Sequence, residues 1–250
     1  MTQISLKSQF RAIWTTLLGA EPQTYADRFA KLTQVVFDDS LKNLQSNLQP
    51  FDHIDLTVIA IAIGAYWHQD LQQVRSRLLE LQSHSNADIQ EIVLAYAIAL
   101  SCRHEFKPRS FISQICHDFS QRGSLGRNAT SPQFCLSQLR LAQKFVDQGT
   151  SAISAHQSLD QNDVLLEPIA SSLYYFLSSP HSWHLITERA QRHPLKQYQP
   201  VVTMQVSAIA AAFLGDRVVM KYEQEIVTEG KRLGDRLWQE WAGVFNVATN

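Results

Sequence analysis

The chain predicts an all-α protein, folded as a single compact domain of ten or more orthogonally packed helices. Three features carry that prediction. Apolar residues recur at helical spacing through most of the sequence. No series of alternating strands with short Gly or Asn turns runs through it. The third feature is the stretch Val164–Gly215, in which apolar segments at Leu165–Leu177 and Val201–Leu214 flank an amphipathic one at His181–His193, punctuated by Pro180, Pro194 and Pro200. The first apolar segment is bulky and aromatic. The second is built from Ala208, Ala210, Ala211, Ala212 and Gly215, small residues that let another helix approach closely. An inner helix pair of this kind needs other helices around it. The expected centre is therefore Ile169, Leu173, Phe176, Ile209, Ala212 and Phe213.

The elements follow in order. Ile4, Phe10, Ile13, Trp14, Leu17 and Leu18 predict a helix over 4–19 that stops at Gly19. Tyr25–Asn47 repeats the pattern through Phe29, Leu32, Val36, Leu41 and Leu44, with a break at Asp38–Ser40. After a turn at Pro50, Asp52 or Asp55 caps a helix over Leu56–Tyr66 that is apolar almost all round, as a buried helix is. Leu71–Leu81 is amphipathic. Asn86 or Asp88 caps the apolar helix Ile89–Cys102, and Pro108 fits the first turn of a helix over Arg109–Ser120. The Gly-, Ser- and Asn-rich residues 121–132 predict a long surface loop within one domain, because the two halves share the same helical grammar. Gln133–Asp147 then forms a helix ending at Gly149, followed by a short one at Ser151–Leu159. After the central stretch, Tyr222–Phe245 closes the chain with Ile226, Leu233, Leu237, Trp238 and Trp241 facing inward, weakened locally by Gly230 and Gly234.

Bulk composition excludes several classes. With 250 residues, 45% of them hydrophobic and 18% charged, the chain has material for a core and too little charge for disorder. A net charge of −1 provides no bulk attraction to nucleic acid or to an anionic membrane, so neither a nucleic-acid partner nor membrane insertion is expected. The longest apolar run, Val58–Trp67, falls short of the ~20 residues that span a bilayer. Cys102, Cys116 and Cys135 lie in no CxxC pair and read as reduced thiols of a cytoplasmic protein.

Four constellations could carry chemistry. His181, His184, Glu188 and His193 include three potential metal ligands near one helical face; the same pattern also suits an exposed face beside a proline turn. Asp38-Asp39-Ser40 offers hard oxygen ligands of the kind Mg²⁺ takes, or simply caps a turn at a helix break. The five tryptophans, with Tyr174, Tyr175 and Phe176, could stack on a base, although at helical spacing they suit a core. Cys116, His117 and Cys135 offer nucleophile chemistry by residue identity alone. No Gly-x-Gly-x-x-Gly, P-loop or Gly-x-Ser-x-Gly motif occurs.

The run LLEPIASSLYYFLSSP, then HSWHLITERAQ, then VSAIAAAFLGD and a closing amphipathic helix, together with the early RAIWTTLLGA, resembles the ADP-ribosylglycohydrolase family, which includes the dinitrogenase reductase-activating glycohydrolase. The resemblance lies in order and texture, and it implies a compact all-helical domain. Family members carry a Gly-Asp-Ala-x-Gly type turn after the opening helix, a Thr-Asp-Asp type motif early, and a Gly-Gly-Asp-Thr-Asp type motif before the small-residue helix. The two Asp-rich motifs supply oxygen ligands to a pair of Mg²⁺ ions that orient ADP-ribose. Here LLGA runs into EPQTYADRF, the later position reads RHPLKQYQPVVTMQ, and no Asp lies between Gln191 and Asp216. FDDS, with Asp38 and Asp39, is the only echo of the early motif.

Two functions follow as expectations. The first is a non-catalytic interaction protein, with no cofactor, whose vacated cleft lies near the Arg192–Val202 loop and the Gly19–Asp27 turn and presents Lys196, Gln197 and Tyr198 to a protein or small-molecule partner. The second is a divergent Mg²⁺-dependent ADP-ribosyl glycohydrolase that uses Asp38, Asp39 and Asp216 and releases ADP-ribose from a protein or small molecule.

Overall fold

The computed structural model describes residues 4–20, 28–29, 31–32, 52–82, 89–121, 132–155 and 168–243. Among the described residues the elements with both ends in view are α1 (Leu6–Ala20), α2 (His53–Tyr66), α3 (Leu71–Gln82), α4 (Ile89–Cys102), α5 (Phe111–Gln121), α6 (Pro132–Asp147), α7 (Pro168–Leu177), α8 (Trp183–Gln191), α9 (Gln199–Leu214), the 3-10 segment Gly215–Lys221, and α10 (Gln224–Trp241). Among the described residues there is no strand. The all-α expectation holds.

Helix α9 is the axis of the packing. It touches α1, α2, α4, α7 and α8, and from Met204 to Ala212 every residue is buried. Its alanines place no bulk between the backbones, so five helices close around it. Helices α2 and α4 are apolar almost all round and pack on each other. A methyl group added at Gly64 would stand 2.9 Å from the Ala95 Cα, so glycine there sets the closeness of the pair. Helix α2 starts with a capping box: Asp52 accepts from the Asp55 N–H at 2.8 Å, and the Asp52 N–H donates to the Asp55 carboxylate at 3.2 Å. Arg28 pairs with the same Asp55 carboxylate. Charge therefore sits at a helix start that leads straight into the core.

Helix α1 lies in a groove between α9 and α10. Gly230 and Gly234, one turn apart on α10, form the floor of that groove beneath Thr15 and Arg11. Beyond the local weakening expected of them, these glycines admit a neighbouring backbone that a Cβ would exclude. Gln9, fully buried on α1, donates through Nε2 to the Ser101 carbonyl at 2.9 Å and the Ala212 carbonyl at 2.7 Å. One amide thus ties the C-terminal ends of α4 and α9 to α1.

Several boundaries differ from expectation, for local reasons. Helix α9 ends at Gly215, which takes φ +61°, and a 3-10 segment intervenes before α10, so the last helix begins at Gln224 rather than Tyr222. Pro108 lies in a turn ahead of α5, with the Lys107 carbonyl accepting from Ser110 and Phe111. Phe213 is half-buried at the rim, edge-on to Phe176 at 5.5 Å, while Ile169, Leu173, Phe176, Ile209 and Ala212 are fully buried. Ile226, Trp238 and Trp241 are half-buried and pack against the core, while Leu233 and Leu237 are buried. Of the expected loop at 121–132, Gln121 ends α5 and Pro132 starts α6, while 122–131 and most of the expected helix over 25–47 lie outside the described residues. The stretch from α9 through the 3-10 segment is long and apolar enough to pass as a membrane span, but 72% of its 18-residue apolar window is buried inside the protein, as befits the axial helix.

Candidate functional site

The site is best built from the turn between α8 and α9. Helix α8 stops at Arg192, whose N–H bonds the Glu188 carbonyl at 3.1 Å, and Pro194 bars the residue before it from continuing the helix. The chain then drives His193 inward, leaving it 1% exposed. Its Nδ1 lies 3.2 Å from both the N–H and the carbonyl oxygen of Leu195, and its Nε2 lies 3.4 Å from Ser171 Oγ on α7. The edge of Tyr175 closes the pocket, with ring centroids 6.1 Å apart. Burial holds the imidazole below its ordinary pKa, so the neutral ring is the one that fits.

The turn is tied at other points as well. The Tyr198 N–H bonds the Leu195 carbonyl at 3.0 Å, and Gln199 Nε2 reaches back to the Gln191 carbonyl at 2.7 Å. Beneath it, Ser172 Oγ donates to the Pro168 carbonyl at 2.8 Å and stands 3.0 Å from Gln205 Oε1 on α9. The candidates Lys196, Gln197 and Tyr198 ride on top. Lys196 and Gln197 are exposed, Tyr198 is half-buried with its ring against the core, and Lys196 Nζ meets Gln199 Oε1 at 3.3 Å.

The expected partner of this loop, the Gly19–Asp27 turn, is described only at its start. Gly19 lies under the Tyr222 ring, which in turn packs edge-on to Trp183, the first residue of α8, at 6.1 Å. Gly19 therefore sits at the opposite end of α8 from Lys196, a nine-residue helix away, about 12–14 Å along its axis.

The metal candidates do not converge. His181 is exposed with its ring 5.6 Å from that of Phe213, His184 points to solvent 3.8 Å from Glu188, and His193 faces the interior. Asp216 is exposed at the start of the 3-10 segment, its N–H bonded to Ser8 Oγ at 3.1 Å, with Arg11 as its charged neighbour. Asp38 and Asp39 lie outside the described residues. Among the described residues, no group of three or more His, Cys, Asp or Glu side chains could hold a metal ion. A cation beside Asp216 is the wrong neighbour for a Mg²⁺ site, so the residues described do not fit that ion and no chemical step is derived through it.

The remaining candidates belong to the core. Cys102, Cys116 and Cys135 are buried thiols. Burial pushes the Cys102 and Cys116 thiols up, away from the thiolate, with Arg140 partly opposing this at Cys116. Tyr174, Tyr175, Phe176 and Trp14 are interior side chains. Ser171 and His193 have the identities of a nucleophile and base, but at 0% and 1% exposure they act as a cross-link between α7 and the loop. Sequence reasoning missed this anchor. Its signal was present in Ser171, Ser172 and Gln205, polar residues set into otherwise apolar helices. Elsewhere a small surface pocket opens between α3, α4 and α5, lined by Leu71, Gln72, Arg75, Tyr96, Asp118 and Phe119. Comparison with known proteins finds no family model, no curated protein and no solved structure that matches this chain.

Proposed function

We propose that this chain is a non-catalytic interaction protein, a helical scaffold resembling an ADP-ribosylglycohydrolase that binds a protein or small-molecule partner at the α8–α9 turn. One observation carries the reading. Lys196, Gln197 and Tyr198 sit on a turn whose backbone is held from beneath by buried His193, and the exposed Lys196 and Gln197 take no part in the core. A turn whose backbone is already fixed loses little backbone freedom on binding, which favours recognition. The non-catalytic half of the reading is supported by the sequence itself: RHPLKQYQPVVTMQ stands where the family resemblance calls for carboxylates. A helical core survives such a change because it depends on apolar pattern, whereas the chemistry depends on a few acids.

The test is recovery of partners by the immobilised full chain, compared with a Lys196→Glu/Tyr198→Ala variant. A Lys196→Glu/Gln197→Ala variant, which keeps the half-buried Tyr198 ring, controls for folding by circular dichroism. Loss of partners from both variants is expected. Equal recovery by wild type and variants removes the loop as the binding surface. Release of ADP-ribose from a modified protein by the wild-type chain at an enzymatic rate overturns the non-catalytic reading.

A further inference from the structure

The same turn is cationic, and among the described residues no ion pair offsets Arg189 or Lys196; we infer that it docks an acidic segment of a partner protein. This rests on the loop being the binding surface. From Arg189 to Gly215 the sequence holds Arg189, Arg192 and Lys196 and no Asp or Glu at all. The nearest carboxylate on the same element, Glu188, is committed to Arg192 at 2.8 Å, with His184 at 3.8 Å on its other oxygen. Arg189 donates to a hydroxyl, Ser179 Oγ, at 3.1 Å. Lys196 reaches a neutral amide oxygen, Gln199 Oε1, at 3.3 Å. Two cations of this segment thus have neutral acceptors in place of carboxylates.

The chemistry around Lys196 selects the kind of anion. Bidentate phosphate recognition uses guanidinium forks, and the exposed fork here, Arg192, is already held by Glu188. A single ammonium beside an amide (Gln197) and a phenol ring (Tyr198) suits a peptide instead. The ammonium takes a side-chain carboxylate and the exposed amide a backbone group. A net charge of −1 over the whole chain gives a long polyanion no general attraction. A short acidic segment meets only the local field, because charges beyond about 8 Å are screened at physiological salt.

The experiment is fluorescence anisotropy with the full chain and a dye-labelled peptide carrying glutamates around a central leucine. Its comparators are the same peptide with every Glu replaced by Gln, and a labelled single-stranded RNA. At low salt the Glu peptide should bind at least about tenfold tighter than the Gln peptide, and the margin should shrink as salt rises. Lys196→Glu should weaken the Glu peptide about three- to tenfold, while Lys196→Arg, which keeps the charge, stays near wild type. Equal binding of the two peptides, an unchanged affinity in Lys196→Glu, tighter binding of the RNA, or no binding of the Glu peptide each overturns the inference. If the Glu peptide fails while the loop variants still lose partners, only the acidic-segment inference falls. If the variants change neither, the loop reading falls with it.

Discussion

Arg11 and Asp235 clasp α1 to α10 through two parallel hydrogen bonds, Nε to Oδ1 and Nη2 to Oδ2, each 2.7 Å long. Lys7 Nζ adds a third contact to Oδ1 at 3.6 Å and also lies over the Trp238 ring, 4.9 Å from its centroid. The clasp sits directly over the point where Gly234 lets the Arg11 backbone come closest. Charge pairing and close packing therefore act on the same turn of each helix.

The hydrogen bonds from Arg11 hold the Asp235 carboxyl below its ordinary value of 3.8. A carboxyl whose folded pKa is depressed stabilises the protein above its unfolded value, and that contribution disappears as pH falls through the lower folded value. Asp235→Asn should cost about 0.5–1 kcal/mol at neutral pH, the upper range for a partly exposed bidentate pair. Urea midpoints of wild type and variant should differ at pH 7 and draw together in strong acid. A constant gap across the range would mean the pair contributes through shape alone.

Gly234→Ala should destabilise, against the usual helix preference. Alanine in place of an interior helix glycine normally adds about 0.5–1 kcal/mol. Here the new Cβ would stand 2.6 Å from the Cα of Arg11, backbone that cannot move without shifting α1. The net effect expected is a loss of about 1–3 kcal/mol, the range for overpacking, read as a lower urea midpoint. A gain in stability would show that α1 and α10 are not seated so closely.

His68 and His193 should make the protein acid-sensitive above the carboxylate range. Both are held below the ordinary value of 6.5, chiefly by burial, against backbone bonds to Ala65 and Leu195 that favour the charged ring. In the unfolded chain each takes up a proton near pH 6.5 that the folded chain refuses. Stability should therefore fall as pH drops from about 6.5 towards the lower folded values and be fully present above that window. Urea midpoints measured between pH 8 and pH 5 check this, and His68→Gln should flatten the slope. A flat wild-type profile would show the rings to be open to water.

Phe176→Ala tests the centre. The ring is fully buried, edge-on to Phe106 at 5.6 Å and Phe213 at 5.5 Å. Truncation should cost about 3–5 kcal/mol in a urea titration. A loss near zero would place α7 outside the cooperative core.

The helices were legible in the sequence because their signals are local. Ile89–Cys102 is read to the residue, and the all-round apolarity of Leu56–Tyr66 identifies a buried helix with Asp52 and Asp55 at its start. The 3-10 segment over Gly215–Lys221 was not legible, since nothing in GDRVVMK distinguishes it from the first turn of the helix that follows. Gly230 and Gly234 looked like defects when the helix was considered alone. They make sense only with α1 laid across them.

The candidate site divides the same way. That Lys196, Gln197 and Tyr198 fall in a turn between two helices is written in Pro194, Pro200 and the apolar periods on either side. That His193 seats the turn against Ser171, 22 residues earlier, was decided by the crossing of α7 with the α8–α9 connection. Arg11 and Asp235 meet across 224 residues for the same kind of reason. Periodicity within a turn or two specifies a helix and its apolar face, because the hydrogen bonds and side-chain spacing that make it span only a few residues. Which polar groups meet depends on how close and at what angle distant helices pack, and that geometry exists only once the core has formed.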